Sequence, residues 1–151
     1  MNEKPTPAEI VIMASGAVAL IFSFFDFYSF DAPFGGSDGV SAWDGALFPL
    51  ATYMAIIGVI MGAVIALERF ANVKPPDRVF TFTWPQVHLA LAVFAFLVGL
   101  GFLIVDSAGD KAVGFWLMFI ASIGLVVGAV LLMRERTGAA SAGGSTGPPT
   151  S

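Results

Sequence analysis

Four long runs without a formal charge dominate this chain: Ile10 to Phe25, Leu47 to Leu67, Val87 to Val105 and Val113 to Met133. A helix needs roughly 20 apolar residues to cross a bilayer, with a range of about 17–25. In lipid the backbone must satisfy its own hydrogen bonds, so runs of this length are read as helices. The runs predict four spans at about 8–27, 47–68, 84–105 and 113–133. The first run holds only 16 uncharged residues, so Glu9 or Asp26 sits near a membrane surface. Composition points the same way. Of 151 residues, 57% are hydrophobic and 12% charged, against about 25% charged in soluble domains. A soluble chain of this size could not hide that much apolar surface.

The first run reads as a retained helix. Its leader, MNEKPTPAE, is a poor positive segment, and Asp26-Phe27-Tyr28 is no small-residue cleavage site. Lys and Arg set the orientation. Lys4, Arg69, Lys74, Arg78, Arg134 and Arg136 fall on the side shared by the termini and the middle loop, and only Lys111 lies opposite. Both termini are therefore expected in the cytosol. Thr83-Trp84-Pro85-Gln86 matches a capping box opening the third helix, with Pro85 in the first turn. Ser41 to Asp44 is a weaker capping candidate before the second, which starts or bends near Pro49. Trp43 and Trp84 are expected interface anchors. From residue 137 to 151 Gly, Ser, Thr, Ala and Pro dominate, which predicts a disordered tail. The fold class expected is thus all-α: a four-helix membrane bundle over 1–136 with largely antiparallel neighbours.

Small residues show how the helices should meet, since close packing drives association in lipid. Ala51, Ala55, Gly58, Gly62 and Ala66 lie on one face of the second helix. Gly114, Ala121, Gly124 and Gly128 do so on the fourth, Ala92, Ala95 and Gly99 on the third, and Gly16, Ala19 and Ser23 on the first. Packing inside one chain is the plainer use of these stripes; a partner helix is the alternative. Extending two stripes by a turn adds His88 on the third helix and Glu9 on the first. Ionisable groups inside a span are expensive and usually face protein or a water-filled cavity. His88 and Glu9 are therefore the candidate polar site, expected to approach each other at the cytosolic end directly or through water. Either His88 is structural, bonded to a carbonyl or to water, or it is a protonatable or ligand-binding position.

Other chemistry finds little support. The chain has no cysteine, which removes disulfides, thiolate nucleophiles and cysteine metal sites, and one histidine, which leaves no zinc-binding pair. Gly35-Gly36-Ser37-Asp38-Gly39 fits the GxSxG elbow, but so does Gly143 to Gly147, and neither has the strand–turn–helix setting or a nearby histidine. The spacing of Asp26, Asp31, Asp38 and Asp44 matches no calcium loop. Phe24, Phe25, Phe27, Tyr28, Phe30 and Phe34 read as an interfacial aromatic belt. With seven Lys and Arg in all, there is no basic surface for nucleic acid. No catalytic, metal or cofactor-binding residues are expected.

Ser41-Ala42-Trp43-Asp44-Gly45, Thr83-Trp84-Pro85-Gln86-Val87-His88-Leu89 and Gly114-Phe115-Trp116-Leu117-Met118 resemble motifs of an uncharacterised family of small four-helix actinobacterial membrane proteins. The similarity covers roughly residues 10–136. It implies a bacterial plasma membrane and nothing about activity. The expected function is a non-catalytic accessory subunit or scaffold, its partners being the bilayer and another membrane protein or itself. The alternative is a small transporter or channel component using His88 and Glu9. An intramembrane enzyme is a third class, with little chemistry to work with.

Overall fold

In the computed structural model, residues 4–76, 78–105 and 109–143 are described. They are mostly helical: α1 (Pro7–Phe22), α2 (Leu50–Phe70), α3 (Trp84–Ile104) and α4 (Val113–Gly143). Three of these, α2, α3 and α4, are long and apolar enough to cross a membrane, with 21, 21 and 31 residues. α1 has 16 residues, about 24 Å at 1.5 Å per residue. It packs along both α2 and α4, α3 packs on α4 and less closely on α2, and α2 and α4 touch across the diagonal.

The ends of the helices follow local chemistry. Thr6 caps α1 in a box, its hydroxyl accepting from the Glu9 N–H while Glu9 reaches back to the Thr6 N–H. α1 stops at Phe22, short of the 27 expected from apolar content. There the Ser23 hydroxyl turns back to the Leu20 carbonyl at 2.6 Å, and Phe24 and Phe25 make tighter three-residue turns. α2 begins at Leu50 with Pro49 as its cap. The Ser41–Asp44 pairing closes a turn upstream and does not cap that helix. Gln86 accepts from the Thr83 N–H at 3.0 Å, completing the start of α3 as the capping pattern predicts. α4 continues through Gly143, so residues 137–143 are helical where composition predicts coil. Thr137 and Ser141 turn their hydroxyls onto carbonyls one turn back, Met133 and Thr137 respectively, and Ala139, Ala140 and Ala142 favour helix. Residues 144–151, with the Ser145 match to the elbow pattern, and Asp106 lie outside the described residues.

The all-α expectation needs a correction, because the connections form two small sheets. β1 (Asp26–Asp31), β2 (Ser37–Ser41) and β5 (Asp110–Lys111) make one antiparallel sheet in the order β2-β1-β5. β3 (Arg78–Val79) and β4 (Phe82–Thr83) make a two-stranded hairpin leading into α3. Gly35 and Gly36 both hold positive φ at the β1–β2 turn, a backbone that suits glycine. A bulge between Asp26 and Tyr28 breaks the alternation of β1. It puts two consecutive residues, Phe27 and Tyr28, into the interior. Phe27 meets Phe102 and Phe115 edge-on at 5.1 and 5.2 Å. The aromatic run is therefore divided: Phe24, Phe25 and Phe34 are exposed as a belt requires, while Phe27 and Tyr28 fill the core beneath the sheet.

Candidate functional site

The bundle has two distinct ends. The three-stranded sheet covers one. At the other meet the start of α1, the end of α2, the start of α3 and the last turns of α4. The polar residues singled out by the stripes lie at this second end. Glu9 is 2% exposed and Arg69 holds it in a fork: Nε donates to Oε2 and Nη2 to Oε1, both at 2.8 Å. The Thr6 N–H donates to Oε2 as well, at 2.9 Å. Paired, planar contacts of this kind are the strong form of a charge-assisted hydrogen bond.

His88 is 3% exposed but is not bonded to Glu9. Its Nδ1 lies 2.9 Å from the Trp84 carbonyl of its own helix, and its Nε2 is buried without a hydrogen-bond partner among the described residues. The direct approach of His88 to Glu9 is thus replaced by Glu9–Arg69. The reason is reach and geometry: a guanidinium offers two parallel donors to a carboxylate, which an imidazole cannot. The sequence held a sign of this. Extending the α2 stripe by three residues beyond Ala66 gives Arg69, by the same step that adds Glu9 and His88 to theirs. On α4 the stripe continues from Gly128 to Glu135, whose Oε2 is also buried without a partner.

The small residues lie where the helices come closest. Gly16 of α1 is set against Gly58 of α2, backbone to backbone, and Gly62 lies beside Met13. Gly124 faces Ser15, Gly128 faces Ile12 and Ala8, and Gly99 is covered by Phe119 and Met54. Ala95 is fully buried. The two tryptophans expected as interface anchors, Trp43 and Trp84, occupy opposite ends. Trp43 donates through Nε1 to the Ser23 hydroxyl at 2.9 Å and stacks on Phe24. Trp84 donates to the Pro76 carbonyl at 2.7 Å, tying the α2–α3 connection to α3. Ser37 opens β2 at the sheet end, remote from His88 in the first turns of α3. Among the described residues no three His, Cys, Asp or Glu side chains are placed to hold a metal ion.

Next to this polar end, a cleft of about 440 Å³ opens between the start of α3 and the last turns of α4. Trp84 and Gln86 line one wall, Met133, Arg136 and Thr137 the other. Arg136 makes only a loose pair with Glu68, at 3.6 Å, and both side chains are substantially exposed. No protein family, curated protein or solved structure matches the chain.

Proposed function

We propose that the chain is a four-span protein of a bacterial plasma membrane with both termini in the cytosol, acting as a non-catalytic accessory subunit or scaffold. The Glu9–Arg69 fork carries this reading. Three donors occupy a wholly buried carboxylate. A carboxylate whose oxygens are taken by three donors locks α1 to α2 and has little capacity left to hold an ion. The surface supports the membrane part: Ile21, Ile60, Leu97 and Ile120, one on each helix, are each at least 47% exposed, and exposed apolar side chains on every helix suit lipid. α1 counts as the fourth span because it is packed between α2 and α4 and the sheet begins four residues after it ends.

The transporter alternative rests on His88 alone, through its unpartnered Nε2. Purification from native membranes in mild detergent separates the two. A stoichiometric second protein supports the accessory reading; a lone oligomer that conducts in liposomes, with loss in His88→Gln, overturns it. Topology has its own test. Cysteines placed at Ser37 and Ser141, both exposed, should label from opposite sides of intact cells, Ser37 from outside. Labelling from one side refutes the four-span arrangement.

A further inference from the structure

The cleft between α3 and α4 does not end at the polar rim. It shares Met133 and Thr137 with a second depression, of about 460 Å³, that reaches Leu89 and Arg134. Through Gln86 and Leu89 both join an apolar groove of about 490 Å³ along α3, floored by Ala90, Val93, Phe94 and Leu97. One continuous surface therefore runs from two arginines down an apolar track. Among the described residues Arg134 has no ion pair, and Arg136 has the loose one with Glu68. Lys74 and Arg78, also without ion pairs among the described residues, stand in the connection that Trp84 ties to α3.

We propose that this surface binds one anionic phospholipid, its phosphate at the rim where Arg136 lines the first depression and Arg134 the second, on either side of Met133 and Thr137, and an acyl chain along the α3 groove. Charge complementarity selects the occupant. A cationic rim at a membrane surface attracts anionic headgroups, and arginine matches phosphate oxygens with paired donors. The apolar track sets the orientation of the tail, and Trp84 lies at the level where indole rings favour the interface. The proposal rests on the membrane reading above.

The test uses full-length protein extracted in mild detergent, with phosphatidylglycerol and phosphatidylcholine of matched chains supplied equally, and bound lipid counted by native mass spectrometry. Phosphatidylglycerol should be retained in preference. The double variant Arg134→Gln/Arg136→Gln should weaken its binding by about 30-fold while leaving phosphatidylcholine unchanged. Ala90→Trp, which fills the groove and alters no charge, should also weaken it, so the proposal does not depend on one variant folding. Lys111→Gln, at the sheet end, should have no effect. Retained preference in the double variant, or an unaffected Ala90→Trp, overturns the proposal. So does displacement of the lipid by millimolar inorganic phosphate, which would make this a site for a free anion. A protein that leaves the membrane fraction without detergent refutes the membrane reading itself. One that needs detergent but shows no lipid preference refutes only the lipid site.

Discussion

A graded alanine series at Gly16, Gly58 and Gly62 tests the packing of α1 on α2. The three look alike as members of small-residue stripes, but their surroundings differ. A β-carbon on Gly16 would stand 2.9 Å from the carbonyl carbon of Gly58 and closer still to its oxygen. Both are backbone atoms, so no rotamer change relieves the clash and the helices must part. A separation of roughly 0.5–1 Å forfeits a quarter to a half of each dispersion contact along the seam. Overpacking of this kind costs about 1–3 kcal/mol, and Gly16→Ala belongs near the top of that range. On Gly58 a β-carbon would lie 3.1 Å from the Gly16 Cα and 3.3 Å from the Ala19 Cβ. A shift of a few tenths of an ångström suffices there, and the gain in helix propensity, about 1 kcal/mol, offsets most of the cost. On Gly62 the nearest atom is the Met13 Cα at 3.6 Å, an ordinary contact, so alanine should stabilise by about 0.5–1 kcal/mol. Reversible unfolding in mixed micelles, read by helicity against denaturing detergent, gives the three midpoints. If Gly16→Ala proves no more harmful than Gly62→Ala, the backbone-to-backbone seam is not what holds α1 to α2.

Three further outcomes are expected. Glu9→Ala should destabilise by about 3 kcal/mol, because it removes the buried carboxylate that takes the Arg69 fork and the Thr6 N–H; Arg69→Met should cost less on top of it than alone, and strict additivity in the double-mutant cycle would count against the fork. Phe27→Ala should cost about 3–5 kcal/mol in the same unfolding assay, since the ring is wholly buried against Phe102 and Phe115; a loss below about 1 kcal/mol would show that the sheet does not cover the core. His88→Gln should keep the midpoint within about 1 kcal/mol, as the side chain gives up a single bond to a helix carbonyl; unfolding of this variant would reveal a structural partner for Nε2.

Periodicity carried much of this fold. The apolar runs mark all four helices, and the Thr83–Gln86 pattern marks the start of α3. Two kinds of information were not local. The sheet depends on pairing Tyr28 with Lys111, residues far apart in the chain, and a two-residue strand has no periodicity to read. The bulge in β1 then breaks the alternation that would mark Phe27 as core. In α4 the Gly and Ser content suggests coil, yet a helix already propagating needs little further propensity to continue. At the polar end, the stripes of α1 and α3 lead to Glu9 and His88, and that of α2 leads equally to Arg69. Pairing the two from helix ends alone overlooked the better donor.

The short strand β5 has a consequence for how such a chain is assembled. It joins the α3–α4 connection to β1, which lies between α1 and α2. Its Ala112 neighbour adds a further bond, to the Phe27 carbonyl at 3.0 Å. Helices entering a bilayer in order would complete the first hairpin of strands early, with one edge of β1 left open. That edge finds its partner only when the last helix begins to follow. On the membrane reading proposed above, closure of the sheet follows α3 and precedes the entry of α4, and protection of the backbone amides between β1 and β5 from exchange would mark the moment at which the first two strands are tied to the second half of the chain.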